Sequence, residues 1–240
     1  YTNLNTLSLH DALPILFVAG KMPEGLMEKL DHYFGSLSLS SHRLHNNNRE
    51  HAVVPSVEMK KLVSVDPKGV QASIRLARPF PNRQHPDFQK ASLLNTIYGG
   101  YFGSRLMENI REDKGYTYGI YSYIQNHLGP TSLIVSTEAG RDVSAATIEE
   151  VYKEMKVLRE ELIDEDELLT TRNFMLGSLL GDLDGPFSIM SRWRSLILNG
   201  LDADYFYRGI EVIRSTSPEE LKELAERYFQ PEAFYELVVI

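Results

Sequence analysis

Two groups of side chains in this 240-residue sequence have types and spacing that could carry chemistry. The first is His42, His45, Glu50 and His51. Imidazole and carboxylate are zinc ligands, but a His-x-x-Glu-His site needs its first histidine where Asn47 stands in Asn47-Asn48-Arg49-Glu50-His51. The surrounding stretch is polar and aperiodic, so it cannot pre-organise a ligand shell and reads as a solvated linker. The second group is Arg111 and Tyr118, with Gly115 between them. A guanidinium and a phenol brought together could both donate hydrogen bonds to a carbonyl oxygen that develops negative charge. The competing reading pairs Arg111 with a carboxylate such as Glu108 and uses Tyr118 to fill a sheet.

Just upstream lies Gly99-Gly100-Tyr101-Phe102-Gly103-Ser104-Arg105-Leu106. Three glycines in five positions let backbone approach backbone, or a bound chain, where a Cβ would clash. The segment is not a P-loop, because an arginine follows the serine and no Gly-Lys-Ser/Thr ending is present. No Gly-x-Ser-x-Gly elbow occurs either. With no cysteine, the chain has no thiolate nucleophile, disulfide or cysteine metal site. Its 25 basic against 33 acidic residues, a formal charge of −8, argue against nucleic acid as the main partner. No run of 18 apolar residues is present, so no membrane span is expected.

The elements that must position these residues follow from periodicity. Ile15-Leu16-Phe17-Val18-Ala19 has the length of a buried strand, and Pro23 opens an amphipathic helix that Gly35 stops. Residues 36–55 read as a linker. Lys60–Val65 and Val70–Pro79 read as strands joined through Asp66-Pro67-Lys68-Gly69, and Ala72, Ile74, Leu76 and Arg78 share one face of the second. A helix is predicted over Pro86–Tyr98, and a second, short one to Lys114 with Ser104 as N-cap and Gly115 at C′. A strand pair, Tyr118–Gln125 and Thr131–Glu138, comes next. The remainder is mostly helical, with Glu149 and Lys153 placed to pair. Asp164 with Glu167, and Ser217 with Glu220, are capping-box starts, and Phe234–Ile240 closes as a strand. The pattern predicts an α+β fold: a mainly antiparallel sheet covered on one face by helices.

Together, Gly99 to Tyr118 resemble the second-half signature of insulinase/pitrilysin-type zinc metallopeptidases (inverzincins), the group that includes mitochondrial processing peptidase. The resemblance runs from Ile15 to Ile240. It implies two related α+β halves that close around an extended peptide. One half carries an inverted His-x-x-Glu-His zinc motif; the other has no metal and contributes an arginine and a tyrosine, which map onto Arg111 and Tyr118. The Gly99, Gly100 and Gly103 loop matches a segment that binds or guides substrate. No His-x-x-Glu-His is present here. The resemblance therefore implies a metal-free C-terminal half with no metal ligands and no cofactor of its own. Zinc is expected in a missing or partner half, and the chain is expected to be inactive alone. Its expected partners are an extended peptide substrate and a zinc-bearing half-domain or subunit; the alternative is a non-enzymatic scaffold or core subunit. The expected organisation is 1–14 as a translated-adapter artefact or disordered tail, 15–57 as the end of the preceding domain plus linker, and 58–240 as the peptidase-like domain. A soluble bacterial protein is expected, of cytoplasm or periplasm; specificity and compartment stay open.

Overall fold

The computed structural model describes residues 15–36, 58–127 and 130–240. The expected tail at 1–14, most of the linker, and His42, His45, Glu50 and His51 lie outside the described residues. A five-stranded sheet forms the centre of the fold: β1 (Lys60–Val63), β2 (Gln71–Pro79), β3 (Thr117–Asn126), β4 (Thr131–Gly140) and β5 (Tyr235–Val239). Their order is β1-β5-β2-β4-β3, with only β1 and β5 parallel. β1 and β2 are therefore neighbours in sequence but not in the sheet, because β5 inserts between them and pairs with both.

The helices are α1 (Leu26–Leu30), α2 (Phe88–Asn95), α3 (Ser144–Glu160), α4 (Glu165–Gly181), α5 (Pro186–Leu198), α6 (Ala203–Ser215) and α7 (Pro218–Tyr228). Alternation along β2 sends Ala72, Ile74 and Leu76 inward, where they are at most 1 % exposed. They meet Leu94 and Ile97 from the α2 region, Val151 and Met155 of α3, and Leu221 and Leu224 of α7 in one core. Each of the larger side chains among them contributes about 1.5–3 kcal/mol through burial. The mainly antiparallel sheet with helices packed on its inner face matches the predicted α+β class. Arg78 follows Leu76 on the inner face, donating from its guanidinium to the Tyr228 carbonyl at 2.5 Å and lying over the Tyr228 and Phe234 rings. Burial lowers its pKa, which the nearby Tyr228 partly offsets.

Local expectations hold where the partner is close in sequence. Ser217 accepts from the Glu220 N–H while Glu220 returns to the Ser217 N–H, so that capping box is complete. At α4 only half of one forms: Asp164 accepts from the Asp166 and Glu167 amides, but the Glu167 carboxylate turns to Arg105 instead. An ion pair in a partly buried site outweighs a reach back to an exposed amide. Lys153 pairs with Glu150, not Glu149. Ile15–Ala19 is not a strand; Ile15 and Leu16 are exposed, and no described strand pairs with them. An apolar run becomes a strand only where a ladder satisfies its backbone. Among the described residues no helix is long and apolar enough to cross a membrane.

Asp87, at the start of α2, ties that helix to α7 by accepting from the Tyr228 hydroxyl at 2.7 Å and the Arg227 guanidinium at 2.5 Å. Burial pushes its carboxyl upward, but these two hydrogen bonds and the Arg227 charge outweigh burial and hold it below the ordinary 3.8. A folded value below the unfolded one means that the unfolded chain takes up protons first on acidification. Asp87 therefore contributes stability that is present above 3.8 and lost as pH falls through the lower folded value. Urea midpoints measured between about pH 5 and pH 2 should fall less steeply for Asp87→Asn than for wild type. Equal slopes would show that the tie carries no linked proton.

Candidate functional site

The site is built at the junction of α2 and β3. α2 widens into a π turn over Thr96–Gly100. There Asn95 is buried, donating to the Ser122 carbonyl at 3.1 Å and accepting from the Ser122 hydroxyl at 2.5 Å. Tyr98 is fully buried, and its hydroxyl donates to the Val151 carbonyl of α3 at 3.0 Å. Burial raises its pKa well above the usual phenol range. These anchors draw the turn onto β3. A Cβ on Gly99 would fall 2.7 Å from Ser122 Cβ, 2.8 Å from the Ser122 nitrogen and 2.9 Å from Leu106 Cδ1. Only a residue without a side chain permits that approach. Gly99 is therefore inward, while Gly100 and Gly103 are exposed.

The next segment is pinned to the helical layer. The Tyr101 ring stacks on Phe174 of α4, centroids 4.6 Å apart, and Arg105 grips Glu167 with two hydrogen bonds of 2.8 Å. Burial opposes the Arg105 charge, but the Glu167 hydrogen bonds and charge outweigh it and raise the guanidinium pKa. Ser104 does not cap a helix with its side chain: its hydroxyl is buried without a partner among the described residues. Its carbonyl instead accepts from the Glu108 amide at 3.0 Å. From Met107 to Asp113 the chain is a π helix rather than the predicted α-helix, and Gly115, at φ +66°, reverses it into β3. A left-handed residue at that position favours glycine.

This geometry brings Arg111 and Tyr118 together. The Arg111 guanidinium lies 5.5 Å from the Tyr118 ring centroid and 4.6 Å from that of Phe102, so two aromatic faces bracket it. Its carboxylate contact is Glu112 at 3.3 Å, not Glu108. A break in register between Thr117 and Ile120 lifts Tyr118 out of the ladder, leaving it 92 % exposed. Thr117 secures the break by donating to Glu138 O at 2.6 Å. Bulges re-aim side chains in this way. Among the described residues the guanidinium keeps most of its five N–H donors uncommitted, and the Tyr118 hydroxyl has no partner and can donate beside it. Phe102 is the member that spacing did not single out; no local signal distinguishes it from an ordinary exposed aromatic. Among the described residues no three His, Cys, Asp or Glu side chains gather to hold a metal ion. His85, for example, is engaged by the Asp87 amide at 3.1 Å. These residues do not fit a zinc site.

Residues 10–175 match the family model of the peptidase M16 inactive domain. The chain belongs to that family. It is 25 % identical over 178 residues to the "uncharacterized zinc protease YmxG" of Bacillus subtilis (strain 168), covering 74 % of this chain and 42 % of the relative. It is also 31 % identical over 111 residues to the "non-peptidase homolog YmxG" of Helicobacter pylori, covering 45 % of this chain and 25 % of that protein. The M16 chain thus spans less than half the length of these curated relatives. The solved peptidase M16 inactive domain from Pseudomonas fluorescens shares the fold, with TM-score 0.69 and 21 % identity over 76 % of this chain and 43 % of that one.

In this M16 inactive domain the Gly99 contact should be the least tolerant in the loop. Gly99→Ala should cost about 1–3 kcal/mol in urea unfolding, as overpacking does. Gly100→Ala, whose Cβ would sit 3.3 Å from its nearest neighbours, should cost less. A Gly99→Ala chain as stable as wild type would contradict the close-approach account.

Proposed function

We propose that this chain is the non-zinc half of an insulinase-type metalloendopeptidase, and that it binds extended peptide along the glycine loop. Arg111 and Tyr118 face the substrate carbonyl, and the exposed backbone at Gly100 and Gly103 lies along the peptide. The observation that carries this reading is the bracketed guanidinium. Phe102 and Tyr118 hold Arg111 at the surface with hydrogen-bond donors to spare, beside a phenol that a bulge has turned outward. A structural ion pair would have been buried against a carboxylate; Glu112, which does pair with it, is itself exposed. Donors fixed in advance at the position of a developing oxyanion lower a barrier without reorganising during the reaction.

Catalysis then needs a second half. Zinc, held there, would activate the attacking water; this chain's residues position the peptide and neutralise charge on its carbonyl. Exposed apolar residues on α4 and α5, among them Leu180, Phe187 and Trp193, support a surface that another domain covers. The span of less than half the relatives' length supports the same reading. A non-enzymatic core subunit is the second reading, and the relative described as a non-peptidase homolog favours it.

Mixing the chain with its zinc-bearing half and a peptide substrate separates the two. Arg111→Ala and Tyr118→Phe should each lower kcat/KM by about tenfold or more, as lost oxyanion donors do. If both variants cleave like wild type, the assigned role is wrong. A stable, stoichiometric and wholly inactive complex would establish the scaffold.

A further inference from the structure

A second concentration of polar groups, whose lining includes no residue of the glycine loop, lies between α2, α5 and α6. A cavity of about 530 Å3 there is lined by Arg83, Arg192, Tyr205, Phe187, Phe206 and Leu196. It adjoins a wider groove of about 1040 Å3 that shares Arg83 and Tyr205. Three side-chain atoms in this region, Arg83 Nε, Arg192 Nε and Tyr205 Oη, are buried and lack a hydrogen-bond partner among the described residues. Buried donors are ordinarily satisfied, and each one left alone costs free energy that a partner would recover.

Among the described residues none makes a well-formed hydrogen bond to these three atoms. Arg83 forms no ion pair with a described carboxylate; its guanidinium lies 5.7 Å over the Phe88 ring. Arg192 commits one terminal nitrogen to Asp182 and lies 5.0 Å over the Phe206 ring, which leaves Nε uncommitted. The Gln89 amide donates to the Tyr205 carbonyl at 2.8 Å and lies close to the phenol without a well-formed hydrogen bond to it. Two guanidiniums against the single carboxylate of Asp182 make the lining positive, in a chain whose formal charge is −8. Ser188, Ser191 and Ser195 add hydroxyls from one side of α5. Converging donors beside aromatic and aliphatic walls are the usual make-up of a small-molecule site.

We infer that this cavity binds a small organic anion, whose carboxylate or phosphate head accepts from Arg83, Arg192 and Tyr205 while its apolar body lies against Phe187, Phe206 and Leu196. Oxyanions meet such donors with charge-assisted hydrogen bonds, and a neutral isostere forfeits them. The inference shares no residue with the Arg111, Tyr118 and glycine-loop contacts of the peptide-binding proposal; of the apolar surface assigned there to a covering domain it shares only Phe187.

Calorimetric titration of the 240-residue chain with phenylacetate, phenylacetamide and inorganic phosphate tests it. Phenylacetate should bind saturably with Kd on the order of 1 mM. Phenylacetamide should bind at least about tenfold more weakly. Displacement of phenylacetate by phosphate assigns recognition to any oxyanion; phenylacetate binding without displacement assigns it to a carboxylate on an apolar body; both uphold the site. Arg83→Met removes no hydrogen bond or ion pair among the described residues. It should weaken phenylacetate about tenfold while leaving the ligand-free Tm unchanged or higher. Tyr205→Phe should weaken it severalfold on the same grounds. Equal binding of the amide, unchanged affinity in Arg83→Met, or no saturable binding of either anion would overturn the inference and leave the donors simply hydrated.

Discussion

The geometry of the candidate site depends on one backbone contact, the approach of Gly99 to Ser122. Asn95 and Ser122 exchange two hydrogen bonds across the same junction, and Tyr98 fixes the turn to α3 from the other side. With no side chain at position 99 the turn seats directly on β3, within van der Waals reach of the Ser122 backbone. Everything downstream is measured from that seat. The Tyr101 ring and Arg105 dock on α4, the π helix from Met107 to Asp113 follows, and Gly115 reverses the chain into β3. A displacement of the seat by a methyl group would move Arg111 and Tyr118 relative to each other, because both lie on arms that leave it.

The parts of this arrangement that were legible in the sequence are those governed by short-range rules. Alternation along β2 marked the core face, including the inward Arg78, and two successive strand runs marked the β3–β4 pair. Serine followed three residues later by glutamate marked the start of α7. The glycine spacing marked a close approach without saying that Gly99 turns inward while Gly100 and Gly103 stay exposed. Other features were out of reach because they depend on partners distant in sequence or on departures from regular geometry. The parallel pairing of β1 with β5 joins opposite ends of the described domain. Widening of the short helix directs Arg111 to Phe102 and Glu112 instead of Glu108, and a bulge turns Tyr118 outward. Regular 3.6-residue and two-residue periods contain neither event. Arg83, Arg192 and Tyr205 likewise gain meaning only once three separate elements share a cavity.

Two kinds of surface underlie the proposal that this member of the M16 inactive-domain family works with a second half. One is the apolar exposure on α4 and α5, where Phe187 and Leu180 are 66 % and 72 % exposed. The other is the aromatic bracket around Arg111, which keeps a cation at the surface without burying it in a structural ion pair. The first is suited to a covering domain and the second to a polar chain lying across it. In this account the glycine loop is one wall of a cleft, and the wall that performs hydrolysis belongs to another half.

Photo-crosslinking reports whether an extended peptide lies across this wall. A peptide carrying a benzophenone side chain would be bound to the assembled pair of halves, irradiated, and its attachment points in this chain read by mass spectrometry. Crosslinks concentrated between residues 99 and 118, lost on competition with unlabelled peptide, are the expected result. Competable crosslinks confined to α5 and α6, with none near Phe102, Arg111 or Tyr118, would contradict it.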